Sequence, residues 1–369
     1  MERLRPPTTD TRGVTSATVS APALDPRAVL DGAGGGVRGF WARGERWVIH
    51  WGSAAEIRVD PSSERGDRFS AVRERARAVF EDFEEVAGVE EGVARPPRFY
   101  GGVSFRPASD IPDPCWRPFG SASFVLPEVE IAGRRESARV TVRSAADETT
   151  PEQLLERARA LAESLAADHQ APERSGTGEG AGAFRREEGD VREWRAAVEE
   201  ALSWIRKGRI SKVVLARTLD LLGEQLPEPG PVALDLWEEN PGTHVFLFEP
   251  EPGAALVGAA PETVATVLDG SFKATAVAGS ISRGTTPAGQ EALAYKLLES
   301  EKDRMEHAIA VQDMVQRLRP LAEELSWDSE PHVLTLSRIQ HLETQIQARL
   351  APGESVLSVL EALHPTPAV

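Results

Sequence analysis

The sequence predicts an α+β protein. Short β-branched and aromatic runs, cut by Gly, Pro and Asp, fill residues 37–150 in the manner of an antiparallel sheet. Amphipathic runs with recognisable caps follow them, and an Asp-Gly pair at 269–270 joins two apolar segments as a hairpin.

Taken in order, residues 1–36 are rich in Thr, Ala, Pro and Gly and end in DGAGGG, a composition with too little apolar surface to offset the entropy of ordering, so they read as a mobile leader. FWARGERWVIHWGSAAEIRV, FYGGVSF, ASFVLPEVEIA and ARVTVR read as strands, interrupted by one amphipathic helix near 70–86. At TTPEQLLERARALAESLAADH, Thr150, Pro151 and Glu152 supply a cap, a first-turn proline and an early acid, which starts a helix. The Gly/Glu-rich ERSGTGEGAGAFRREEG is expected to be an exposed loop, and DVREWRAAVEEALSWIRKG a helix ending at Gly208. RISKVVLARTLDL is expected to be a strand, PGPVALDLWEENP a helix, and THVFLFEP with the apolar segments after it further strands. Gln290 to Leu325 reads as one long helix and VLTLSRIQHLETQIQARL as strand. A single domain over 37–369 is expected, with an N-terminal subregion 37–150 and a catalytic subregion 190–369.

Composition excludes some functions. The formal charge is -16 and Lys and Arg are scattered, so nothing would draw in nucleic acid or an anionic bilayer, and neither is expected as a partner. No uninterrupted apolar run reaches the roughly 18 residues of a membrane span. MERLRPPTTDTRG places Arg and Pro where a secretory leader has its apolar core, which makes the cytoplasm the expected compartment. Cys115 is the lone cysteine, so no internal disulfide forms, and it reads as a small core or surface residue.

Four features could carry chemistry. In LLESEKDRMEHAIAVQDM, Glu299, Asp303 and Glu306 fall at i, i+4 and i+7 and would share one helix face, as a hard cation such as Mg²⁺ requires; a solvated face is the commoner meaning of that spacing. Strand alternation would put Lys212 of RISKVVLAR on the face of Val214 and Ala216, projecting into a site rather than standing as an edge charge. Glu262 in GAAPETV follows a proline in an apolar hairpin, where partial burial would raise its pKa toward that of a general acid. In AVAGSISRG, small residues end a strand and their backbone N–H groups could approach an anion, or simply form a tight turn.

In order and spacing, KVVLAR, GAAPETV, AGSISRG, EKDRMEH, the His of RIQHLET and the terminal LHPTPAV resemble the chorismate-binding enzyme family, which includes isochorismate, anthranilate, aminodeoxychorismate and salicylate synthases. The resemblance is strongest in the second half; WGSAAEI, GGVSF and SFVLPEVEI look like the menaquinone or siderophore branch. It implies two stacked antiparallel β-sheets flanked by helices around a Mg²⁺-dependent chorismate site, in a monomer or weak homo-oligomer. By motif match it assigns Lys212 as general base, Glu262 as general acid, Glu306 with Asp303 through water as metal ligands, and Gly279, Ser280, His341 and Ala368 as substrate-binding residues. Within the family, Lys212 stands where amine-transferring members carry Gln, Ala278 where aminodeoxychorismate synthases carry Lys, and Ala368 where pyruvate-eliminating members carry Thr. An isochorismate synthase is the expectation, with a lyase or an inactive chorismate-binding protein as alternatives. Because the family normally continues beyond HPTPA, the chain is expected to lack a C-terminal segment and, as given, not to turn over chorismate.

Overall fold

Residues 13–59, 68–86, 96–105, 114–167 and 184–365 are described by a computed structural model. The chain opens with β1 (Val14–Pro22), α1 (Pro26–Asp31), β2 (Arg38–Arg43), β3 (Arg46–Trp51), β4 (Ala55–Val59) and α2 (Arg68–Glu81). β5 (Phe83–Glu85), β6 (Tyr100–Val103), β7 (Ala122–Leu126), β8 (Val129–Gly133), β9 (Ser137–Ala145) and α3 (Pro151–Ala167) follow. Next come β10 (Arg185–Glu188), α4 (Val191–Arg206), β11 (Leu219–Leu222), α5 (Pro229–Glu239), β12 (His244–Glu251) and β13 (Ala254–Ala260). The last part holds β14 (Thr266–Leu268), β15 (Ser271–Ser282), α6 (Pro287–Glu299), α7 (Glu301–Leu318), β16 (Ser326–Trp327), β17 (His332–Thr335), β18 (Ile339–Arg349) and α8 (Val356–Leu363). None of the described helices is long and apolar enough to cross a membrane.

The expected single domain resolves into two compact units, Met1–Glu173 with Pro229–Ala260, and Arg174–Glu228 with Pro261–Val369. The first is built on an eight-stranded sheet in the order β13-β12-β2-β3-β8-β9-β1-β5, antiparallel except for the β1–β5 pair, together with the three-stranded sheet β4-β7-β6. Its core gathers Phe40, Ile49, Ile131 and Val140 with Leu154 and Ala158 of α3. The start of α3 is fixed reciprocally: Gln153 N–H donates to Thr150 Oγ1, and Thr150 N–H to Gln153 Oε1.

The mobile-leader expectation is overturned from residue 14 onward, because β1 is paired along its length with β9 and Val14 through Thr18 are all buried. Its small polar residues look unable to order themselves, yet their hydroxyls are satisfied inside: Thr18 Oγ1 lies 3.0 Å from Thr141 Oγ1 and 3.3 Å from Glu85 Oε1. The loop expected before α4 also contains a strand, β10, paired with β11.

The second unit is organised on the long β15–β18 pair, flanked by β14, β16 and β17. Asp269 (φ 50°) and Gly270 (φ 75°) turn β14 into β15, which is the left-handed geometry that the Asp-Gly pair anticipates. On one face Phe272, Ala274, Ala276 and Ile346 pack with Met314 and Leu318 of α7 and Val359 of α8.

Two expectations in this unit fail for local reasons. The long helix from Gln290 breaks at Ser300 (φ −71°, ψ 106°), which leaves the helical basin to cap α7, accepting from Asp303 N–H at 3.3 Å. Glu299 therefore belongs to α6, and the three-carboxylate face is reduced to Asp303 and Glu306. The strand expected through Lys212 is absent: residues 209–218 are irregular, and Val213 and Val214 are both exposed, at 42% and 48%, where alternation would hide one of them. A strand needs a ladder partner, and among the described residues β10 supplies one only opposite Leu219–Leu222.

Candidate active site

The candidate site is assembled in the second unit around the first turns of α7 and the distal ends of β15 and β18. β15 and β18 run antiparallel, with Ala276 opposite Thr344 and Ala278 opposite Leu342, until the register shifts between Ala278 and Ser280. Gly279 is the extra residue of that bulge, at φ +79°. Period-two alternation would otherwise place Ser280 on the α7 side with Ala276 and Ala278. The bulge turns it over to pair with His341, and Ser280 Oγ lies 2.8 Å from His341 Nδ1.

A glycine is required at 279 on two counts. Its φ is left-handed, and a Cβ there would stand 3.2 Å from Asp303 Cβ and 3.4 Å from Asp303 O. Gly279 thus brings β15 against the first turn of α7. Burial lowers the pKa of His341, opposed by a hydrogen bond to the Gly279 backbone, so the ring is neutral at neutral pH.

On α7, Glu306 Oε1 lies 3.4 Å from Lys212 Nζ, which is 15% exposed despite the irregular backbone around it. Lys302 Nζ stands 3.7 Å from Asp303 Oδ1 and 3.9 Å from Glu306 Oε2. Two carboxylates therefore converge within reach of a single cationic group. Asp303 Oδ2 also accepts from Ser300 Oγ at 2.5 Å. No group of three or more His, Cys, Asp or Glu is placed to hold a metal among the described residues. The donor set fits Mg²⁺ nonetheless, since that ion commonly takes one or two carboxylates and completes its octahedron with water and substrate oxygens.

Glu262 is not in a hairpin; it lies in the connection between β13 and β14. Its Oε1 is buried without a hydrogen-bond partner, and burial pushes the carboxyl up to about 7. Among the described residues, no hydrogen bond or ion pair joins Glu262 or His341 to the Lys212–Glu306 pair. Ala368 lies outside the described residues.

A family model described as chorismate binding enzyme matches residues 3–369. The chain belongs to that family. Among its relatives, the salicylate biosynthesis isochorismate synthase of Pseudomonas aeruginosa is 33% identical over 336 residues, covering 89% of this chain and 66% of that protein. Isochorismate synthase MenF of Bacillus subtilis is 29% identical over 339 residues, covering 90% of this chain and 70% of its own length. The menaquinone-specific isochorismate synthase MenF of Escherichia coli shares the fold, with a TM-score of 0.71 at 19% identity over 97% of this chain and 76% of that one.

Within this member of the family, sequence reasoning passed over the residues that tie the motifs together. His307, next to Glu306, is buried, and its Nε2 lies 2.7 Å from Thr344 Oγ1, three residues beyond His341. Burial is also the leading cause that lowers the His307 pKa. Gln290 Oε1 accepts from Arg283 Nε at 2.9 Å and its backbone carbonyl from Gln340 Nε2 at 3.2 Å, fastening α6 to β18. The available signal was that His307 and Thr344 fall inside EKDRMEH and QHLET; nothing local said that they meet.

Proposed function

We propose that this protein converts chorismate to isochorismate in a Mg²⁺-dependent reaction. The observation that carries the reading is Glu262, a half-buried carboxyl whose Oε1 is buried without a hydrogen-bond partner and whose pKa is raised to about 7, as a general acid working at neutral pH requires. The resemblance to isochorismate synthases over 89% and 90% of the chain supports the choice of substrate.

In this reading Lys212 takes a proton from water as the new C–O bond forms at ring carbon 2. The ring electrons shift, the C–O bond at carbon 4 breaks, and Glu262 donates its proton to the departing hydroxyl, which leaves as water. One water enters and one departs, so the reaction is an isomerisation, and solvent resets both groups. Lys212 must act as the free amine, so substrate binding has to part it from Glu306. Glu306, with Asp303 through water, would hold Mg²⁺, which when bound neutralises the substrate's ring carboxylate and acts as a Lewis acid. Gly279, Ser280 and His341 would orient the substrate.

The test is incubation of purified protein with chorismate and saturating Mg²⁺, separating isochorismate by chromatography and measuring pyruvate enzymatically. Isochorismate without pyruvate supports the reading. Stoichiometric pyruvate would identify a lyase, and calorimetric binding of chorismate without product an inactive binding protein.

A further inference from the structure

Consecutive residues on a helix point about 100° apart. On α7 this directs Glu306 toward Lys212 and His307 into the sheet, where His307 is 3% and Thr344 2% exposed. His307 is also the first buried residue of the helix: Ala310, Val311, Met314, Val315 and Leu318 all follow it. Apolar packing therefore anchors α7 from its third turn on, while the turns bearing Asp303 and Glu306 depend on other contacts. The Ser300 cap and the approach of Gly279 to Asp303 act at the start of the helix, and the hydrogen bond from His307 to Thr344 is the contact with the sheet that adjoins residue 306. An apolar side chain at 307 would fill the space without defining an angle, whereas a 2.7 Å hydrogen bond to a fixed strand hydroxyl is directional.

We propose that His307 is a positioning residue for Glu306, its hydrogen bond to Thr344 setting the rotation of the first turns of α7 and so the direction of the adjacent carboxylate. The proposal rests on reading Glu306 as the metal-holding group, as described above. His307 Nε2 and the Thr344 hydroxyl share this hydrogen bond, and the Ala278 backbone lies on the other side of the ring. Thr344 thus supplies the side-chain restraint on the ring, the one that a substitution can remove. Supporting groups of this kind around a metal ligand typically affect metal affinity about 10–100-fold.

The experiment compares the intact chain with Thr344→Val, Thr344→Ser, Glu306→Gln and Ile346→Val. Ile346 is fully buried on the same strand and face, so Ile346→Val controls for ordinary loss of core stability. The first readout needs no metal: the acylation rate of Lys212, followed by mass spectrometry, reports how well Glu306 holds its ammonium. Thr344→Val is expected to label about threefold faster than wild type, approaching Glu306→Gln, as loss of a partly exposed ion pair implies. Thr344→Ser and Ile346→Val should label as slowly as wild type, although Ile346→Val melts lower. The second readout is Mn²⁺ affinity by paramagnetic resonance, expected to weaken about tenfold in Thr344→Val and to recover in Thr344→Ser. If Thr344→Val does not melt cooperatively, His307→Leu and His307→Gln make the same comparison, with Leu labelling fast and Gln slowly. Wild-type labelling in Thr344→Val, or equally fast labelling in Ile346→Val, would overturn the proposal. Absence of Mn²⁺ binding in wild type with the expected labelling pattern would instead overturn the metal reading and leave the positioning role standing.

Discussion

Replacing Gly279 by Ala tests whether the bulge is what aligns β15, α7 and His341. Two costs add. Holding an L-residue at φ +79° costs about 1–2 kcal/mol. The new Cβ would also press on Asp303 Cβ at 3.2 Å and Asp303 O at 3.4 Å, a contact that one of two packed backbones must relieve by shifting, for about 1–2 kcal/mol more. Gly270→Ala isolates the first cost, since that residue has φ +75° and nothing within 4 Å of its Cβ position. At roughly 3 °C per kcal/mol for a unit of this size, Gly279→Ala should lower the melting temperature by about 10 °C and Gly270→Ala by about 4 °C. Calorimetry measures both. Losing the bulge would also turn Ser280 back toward α7, and the ¹⁵N shifts of His341 would report the lost hydrogen bond. Equal melting losses in the two variants, with the His341 signal unchanged, would refute the argument that β15 and α7 meet through this glycine.

Three further outcomes follow from the site. Because burial raises the Glu262 pKa to about 7, its contribution to stability is complete below the unfolded carboxyl pKa and is lost as pH rises from there through 7; Glu262→Gln should therefore match wild type near pH 4 and exceed it by about 2–3 kcal/mol at pH 8 in denaturant titrations. Parallel titration curves would show that Glu262 is not held neutral. Lys212→Gln should reduce isochorismate formation by about 10²–10⁴ with chorismate affinity little changed, and near-normal turnover would remove Lys212 as the base. Ser300→Ala should cost about 1 kcal/mol by uncapping α7 and should weaken Mn²⁺ binding, because the same hydroxyl donates to Asp303; unchanged affinity would show that Asp303 takes no part in holding the cation.

What the sequence determined by itself was whatever is encoded within a few residues. Thr150 starts α3 and Asp269-Gly270 makes its hairpin turn because each involves a local hydrogen bond or a local φ preference. The motifs also named Lys212, Glu262, Glu306 and His341 as site residues by order and resemblance. Only the tertiary structure could show that residues 14–22 form a buried strand, since the Thr141 hydroxyl that meets Thr18 lies 123 positions away. The break at Ser300 was missed because the apolar periodicity on both sides of it conceals the interruption. The irregular run at 209–218 and the pairing of His307 with Thr344 were not readable at all. A strand exists only where a distant segment offers a ladder, and a buried hydrogen bond only where packing brings two remote side chains together. Ser280 shows the same limit at the scale of one residue: alternation assigns it to the α7 side, and a single bulge at Gly279, visible only in the register of β15 against β18, carries it to His341.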